Sequence, residues 1–234
     1  IGLVCWQLFV MLDVGKVQLP GPIEIGRAIV EFGSTQEFRE AAFSSGRVFL
    51  QGAVAGVLFG VAVGTVIGGN SLLDRALGPL VFAVYSTPFI ALVPLFLVAF
   101  GFGVFSKSMI VFFLVFMTVV LQTIAGVRSV EPAYLEVADS FRAPTWRRWT
   151  EILLPGALPF IVAGIRLGIG RGLVGVVVAE FETAITGLGG VILQRSQNLQ
   201  LAEGAVPAVF LATVGILLTA ALRRLENRMN VWKR

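Results

Sequence analysis

Arg128-Ser129-Val130-Glu131-Pro132-Ala133-Tyr134-Leu135-Glu136-Val137-Ala138-Asp139-Ser140-Phe141-Arg142-Ala143-Pro144 opens a polar stretch that runs on to Leu154 and places eight charged residues in 27 positions. On either side lie apolar runs, Met109 to Val127 and Gly156 to Ala179, whose length suits the hydrocarbon core of a bilayer, about 20 residues of helix. A polar, helix-forming segment tied to the membrane at both ends is placed to be gripped by a soluble partner. Pro132 fits the first turn of a short helix to Phe141, with Tyr134, Val137, Ala138 and Phe141 on one face and Glu136, Asp139 and Ser140 on the other. A second helical piece is expected from Pro144 to Ile152, with Trp146 and Trp149 one turn apart and Pro155 ending it. On physics alone an interfacial hairpin with its tryptophans at headgroup level is the alternative.

Working outward, the rest of the chain belongs in lipid. Hydrophobic residues make up 56% and charged residues 14%, against about 25% charged in a soluble domain. Uncharged runs at Val48 to Gly68, Pro79 to Phe100, Met109 to Val127 and Gly204 to Leu222 are each 19 to 22 residues long. Gly156 to Ala179 is a fifth candidate and carries Arg166 and Arg171. Ile1 to Leu12 is apolar but too short to cross. It reads as the end of a first span, with a remnant signal-peptide core as the alternative. The expected architecture is therefore an all-α integral membrane protein of about six transmembrane helices in one transmembrane domain, residues 1–234. Residues 1–12 end the first span, 13–47 form extracytoplasmic interfacial helices, 48–127 hold three spans, 128–154 form the protruding loop, and 156–179 and 204–222 are the last two spans.

Charge sets the orientation. If the 128–154 loop is cytoplasmic, then 69–78 and 223–234 are too, and these 49 residues hold 10 Lys/Arg against 6 in the 67 residues opposite. In the outer segment Pro22 marks a helix start, and Ile25, Ala28, Ile29 and Phe32 share a face. Gly33 marks the stop, and Ser34 with Glu37 resembles a capping box. Within the spans, Gly52, Gly56, Gly60, Gly64 and Gly68 recur every fourth residue, as do Gly164, Gly168 and Gly172, predicting close helix contacts.

Several chemistries are excluded. There is no His and one Cys, Cys5, so no metal cluster or internal disulfide is expected. Gly170-Arg171-Gly172-Leu173-Val174-Gly175 matches a dinucleotide pattern but lies inside an apolar span, and Gly101 to Ser108 only approaches a phosphate loop. Any nucleotide motor must sit on another polypeptide. No Asp or Glu lies in the five complete spans as bounded above, which argues against the alternative of a secondary transporter or channel driven by an ion gradient. Tyr85, Ser86, Thr87, Gln122, Thr123 and Arg166 are the polar candidates for a substrate pathway. Arg166 is able either to attract an anion or to pair with helix-end carbonyls or another subunit, and the uncharged groups are equally able to bond neighbouring helices.

The loop resembles that of the inner-membrane permeases of bacterial ABC importers. Their pattern is Glu-Ala-Ala, three residues, Gly, nine residues, Ile, one residue, Leu-Pro; here Glu136, Ala138, Ile152, Leu154 and Pro155 fall in register, with Val137 and Arg142 as departures. Gly at the position of Arg142 would allow a left-handed turn that costs other residues roughly 1 kcal/mol. Thr87-Pro88-Phe89-Ile90-Ala91-Leu92-Val93-Pro94-Leu95, Phe100-Gly101-Phe102-Gly103, Ser106-Lys107, Ala125 to Val130 and Val176 to Glu180 are similar to the branch serving nitrate, taurine and aliphatic sulfonates. The resemblance implies the type I importer fold in the bacterial inner membrane. It also implies two cytoplasmic ATPase subunits carrying ATP and Mg, a second permease subunit, expected to be identical, an extracytoplasmic solute-binding protein, and no nucleic acid. Glu136, Val137, Ala138, Asp139, Ser140 and Phe141 become the ATPase-coupling surface, with Arg142, Ala143 and Pro144 at the turn; no catalytic residue, metal or cofactor is expected on this chain.

Overall fold

A computed structural model describes residues 6–7, 20–183 and 186–229; the expectations on Cys5, on the rest of 1–12 apart from 6–7, on 13–19 and on the last five residues fall outside them. Ten α-helices follow one another among the described residues, with no strand: α1 Pro22–Glu31, α2 Gln36–Gly68, α3 Ser71–Ser86, α4 Val93–Phe100, α5 Val104–Arg128, α6 Pro132–Ser140, α7 Thr145–Arg147, α8 Leu154–Thr183, α9 Leu188–Gln197 and α10 Leu201–Met229. A 3-10 turn, Phe89–Leu92, joins α3 to α4, and a π-helical segment, Arg148–Leu153, joins α7 to α8. Four stretches are long and apolar enough to cross a bilayer, Gln36–Gly68, Val104–Arg128, Thr145–Thr183 and Leu201–Arg224, and the α3/α4 pair makes a fifth if counted as one span.

The centre of the bundle is α5, held between two glycine seams. Along α2, a Cβ added at Gly56 or Gly60 would sit 2.8 Å from Val115 or Val119 Cβ, and one at Gly64 2.6 Å from Thr123 Cβ. The pairing advances by four residues on both helices, so α2 and α5 run parallel. On the opposite side Gly164 meets Gln122 and Gly172 meets Val115, an antiparallel contact. Val111, Val115 and Val119 are fully buried as a result. Apolar burial does not favour protein over acyl chains in lipid, so contact this close is what holds the three helices together. Valine suits the role because its branched Cβ has one strongly preferred rotamer on a helix.

Several boundaries differ from those the sequence suggests. Residues 36–47 are not separate interfacial helices: nothing between Thr35 and Gly69 interrupts the i to i−4 ladder, so α2 carries Arg39, Glu40 and Arg47 about 18 Å beyond the expected span. Its cap is Thr35, whose Oγ1 accepts from Phe38 N at 3.2 Å, one residue later than the Ser34 box. Pro79–Phe100 is not one straight span. Pro88 cannot donate and biases Thr87 to an extended backbone (φ −70, ψ 134), and the two helices bend by 75° there. Pro155 does not stop a helix, because the wide π-helical turn before it makes room for the ring and 145–183 runs on as one element. The last spans are also longer, with α8 reaching Thr183 and α10 starting at Leu201, so Glu180 lies inside a helix treated above as free of carboxylates. Outside the spans, α1 buries Ala28 and Phe32 as expected, while Ile29 stays exposed.

Candidate functional site

The protruding loop is a built knob. α6 ends in two crossed bonds, Ala143 N donating to Ala138 O at 2.8 Å and Arg142 N to Asp139 O at 2.9 Å, which satisfy those two carbonyls. This closure places Arg142 at φ +49, the left-handed conformation that glycine would adopt without strain. The departure at Arg142 therefore keeps the turn and carries its conformational cost. Arg142→Gly is expected to raise stability by up to about 1 kcal/mol with transport unchanged, read as a higher thermal midpoint and an unaltered uptake rate.

Three contacts make the knob stiff. Arg148 of the π-helical segment forms an ion pair with Asp139 of α6. The Trp149 ring lies where a Cβ on Gly69 would be, against the C-terminal end of α2. Leu135 packs on the cluster of Val127, Leu153 and Ala157 at the base of the bundle, and Ala138 is buried. The division of faces differs from the sequence reading in one respect. Ala138 turns inward with Leu135, whereas Tyr134 (59% exposed), Val137 (55%) and Phe141 (82%), spaced i, i+3, i+7, stand outward with no partner among the described residues. Glu136 and Ser140 are also exposed, and Pro144 begins α7. Tyr134, Val137 and Phe141, with Ala143, Arg147 and Glu151 opposite, line a groove of about 800 Å³ between α6 and the π-helical segment.

The six pathway candidates separate. Tyr85 and Thr87 line a pocket of about 670 Å³ at the α3/α4 break, together with Arg171. Ser86 stands beside it, its Oγ donating to Phe82 O at 2.9 Å. Gln122 is half-buried against Gly164, and Thr123 is fully buried in the α2–α5 seam with no hydrogen-bond partner for its hydroxyl among the described residues. Arg166 pairs with Glu226 of α10, at 3.3 Å. The sequence counted Glu226 in a cytoplasmic tail; α10 continues to Met229 and so brings its carboxylate to α8.

With this arrangement in view, comparison with known proteins is decisive. The sequence pattern of the family described as the binding-protein-dependent transport system inner membrane component matches residues 56–231. The chain belongs to that permease family. It is also similar to the taurine transport system permease protein TauC of Escherichia coli K12, at 29% identity over 98% of this chain and 85% of that protein. The putative aliphatic sulfonates transport permease protein SsuC of Bacillus subtilis 168 is 30% identical over 97% of the chain and 83% of its own length. A bicarbonate transport system permease protein, CmpB of Synechocystis, is 26% identical over 96% and 84%. This permease is thus a multi-pass inner-membrane component of an ABC transport system, as the loop indicated.

One buried network of the permease was not singled out in the sequence as a site. Glu180, fully buried near the C-terminal end of α8, accepts from Ser45 Oγ at 2.7 and 2.9 Å and from Gly189 N at 2.8 Å. Ser45 Oγ in turn accepts from Leu188 N at 2.8 Å. The carboxylate therefore caps α9, where its charge meets the positive end of the helix dipole. A Cβ on Gly187 would lie 2.0 Å from Glu180 Oε1, and Gly187 has φ +94, so only glycine fits. Lys107, 3% exposed in the first turn of α5, donates to Thr186 Oγ1 at 3.0 Å and joins the same corner. The available signal was a carboxylate seven residues ahead of the run Gly187-Leu188-Gly189-Gly190, where the backbone must pass close to something.

Proposed function

We propose that the chain is the gate of an ATP-driven importer of a small solute such as nitrate, taurine, an aliphatic sulfonate or a related compound. In this reading two permease subunits, identical to each other, form the pathway. Two cytoplasmic ATPase subunits bind ATP and Mg, and an extracytoplasmic binding protein delivers the solute. Each ATPase presses on one knob through Tyr134, Glu136, Val137, Asp139, Ser140 and Phe141. Arg142, Ala143 and Pro144 hold the turn, and Ala138 anchors the helix from beneath.

The observation that supports this most directly is the outward stripe Tyr134, Val137 and Phe141 on an element pinned to the ends of α2, α5 and α8. Exposed aromatic side chains flanked by charge are the usual anchors of a protein interface. Because Trp149 and Asp139–Arg148 make the knob stiff, a displacement imposed on it is passed to the spans, which rock about a central site. Reconstituted vesicles test the reading. With the binding protein inside or outside as orientation requires, taurine or an alkanesulfonate is expected to accumulate only when ATP and the ATPase subunits are present. Accumulation driven by an ion gradient through this chain alone would refute it.

A further inference from the structure

The pocket at the break between α3 and α4 has a composition that the family assignment does not explain. Its one charged wall residue is Arg171 of α8. Placing an arginine within a span costs on the order of 3 kcal/mol unless it is compensated. Arg128, Arg148, Arg166 and Arg195 each find a carboxylate, in Asp74, Asp139, Glu226 and Glu37 respectively. Among the described residues none does so for Arg171. Instead its guanidinium lies over the Tyr85 ring at 4.4 Å from the centroid. Stacking occupies one face of the planar group, and its N–H donors lie in the plane. No acceptor among the described residues engages them, so the edge suited to a two-oxygen anion is open.

The remaining walls are apolar. Phe89, Phe96 and Phe113 form one aromatic cluster, with centroids 5.1 to 5.3 Å apart, and Met117 and Val174 extend it. Thr87 adds no free donor, since its hydroxyl donates to Ala83 O at 3.1 Å. A volume of about 670 Å³ falls in the range of small-molecule sites. An inorganic oxyanion, not much larger than a water molecule's share of about 30 Å³, would leave most of that volume as water against phenylalanine. Depth agrees with entry from outside. Arg171 stands about 26 Å along α8 from its cytoplasmic start at Leu154, and Thr87 about 24 Å along from Ser71, in the outer part of a core about 30 Å thick.

We propose that this pocket binds an organic anion with one sulfonate-like head and an apolar body, the head held edge-on by Arg171 and the body lying on the Phe89–Phe96–Phe113 cluster. The proposal rests on the permease reading and narrows its substrate class: the pathway favours a carbon-bearing sulfonate over nitrate or bicarbonate. Tyr85 positions the guanidinium. The same chemistry occurs in an anionic phospholipid, and the test separates the two sources.

The assembled transporter, in nanodiscs of phosphatidylcholine alone, is titrated with benzenesulfonate, with uncharged benzenesulfonamide and with nitrate. Benzenesulfonate is expected to bind at least about ten-fold more tightly than either of the others. Arg171→Gln is expected to weaken it by about ten- to a hundred-fold, the loss of a charge-assisted hydrogen-bonded pair, with partial recovery in Arg171→Lys. Gly170 lines the same pocket, and a Cβ added there meets nothing within 4 Å. Gly170→Leu should therefore fold normally while lowering benzenesulfonate affinity about five-fold or more. Equal binding of the sulfonamide or of nitrate, or sulfonate binding indifferent to both substitutions, overturns the proposal. Loss of sulfonate binding on adding phosphatidylglycerol, through an Arg171-dependent competition, assigns the pocket to lipid and overturns it too. ATP-dependent uptake measured on the same preparation keeps the two readings apart. Intact uptake without pocket binding rejects only the pocket, whereas uptake independent of the ATPase subunits rejects the permease reading.

Discussion

Phe141→Ala combined with Glu136→Lys is expected to cut ATP-dependent uptake more than ten-fold while leaving the amount of permease in the membrane unchanged. Phe141 is 82% exposed and Glu136 is exposed on the other face of α6, so neither change opens a cavity or orphans a buried group. The protein should fold as before. At an interface, however, an aromatic anchor of this kind contributes about 2 kcal/mol or more, roughly thirty-fold in affinity, and reversing the charge at Glu136 removes whatever complementary contact that carboxylate makes. The distinguishing result is a split between two measurements: ATP hydrolysis by the complex continues at its basal rate and no longer responds to the loaded binding protein, and uptake fails. Coupled uptake at the wild-type rate in the double variant would show that the outward stripe of α6 is not the surface that transmits force.

Glu180→Ala should destabilise the fold by about 3 to 5 kcal/mol, the larger of the two structural effects predicted here. The substitution removes the acceptor for Ser45 Oγ and Gly189 N in a fully buried corner and leaves a void. Glu180→Gln keeps the shape but places an amide NH₂ against donors that already point inward, so it should recover only part of the loss. Thermal unfolding of the purified permease in nanodiscs measures both. Hydrogen exchange adds a local reading, since the amides of Leu188 and Gly189 at the start of α9 should lose protection first. An unchanged midpoint in Glu180→Ala would mean that the carboxylate is dispensable to the corner where α8, α9 and α2 meet.

Much of the architecture was readable from local pattern. The loop register was visible because Glu136, Ala138, Ile152, Leu154 and Pro155 stand at fixed offsets, and α6 begins at Pro132 as its ring geometry requires. The seam of Gly52 to Gly68 was visible because small residues at every fourth position mark one helix face. Helix ends were read less well. Uncharged runs show where lipid can be crossed, but a helix continues wherever its hydrogen-bond ladder is unbroken, and α2 and α8 carry charge past the bilayer edge. Thr87-Pro88 was quoted for its resemblance; Pro88 marks where the helix breaks, but the 75° angle between α3 and α4 is not encoded in that dipeptide.

Sequence by itself determined that this chain is a helical membrane protein with a charged knob between two spans, because hydropathy and helix-phase constraints act within about one span and need no partner to be read. Only the tertiary structure decided what the isolated polar groups do. Arg166 meets Glu226 60 positions away, Ser45 meets Glu180 across 135, and Arg171 reaches Tyr85 across 86. Inside a low-dielectric bundle the cost of an uncompensated charge or hydroxyl selects its partner by proximity in space, which no local spacing encodes.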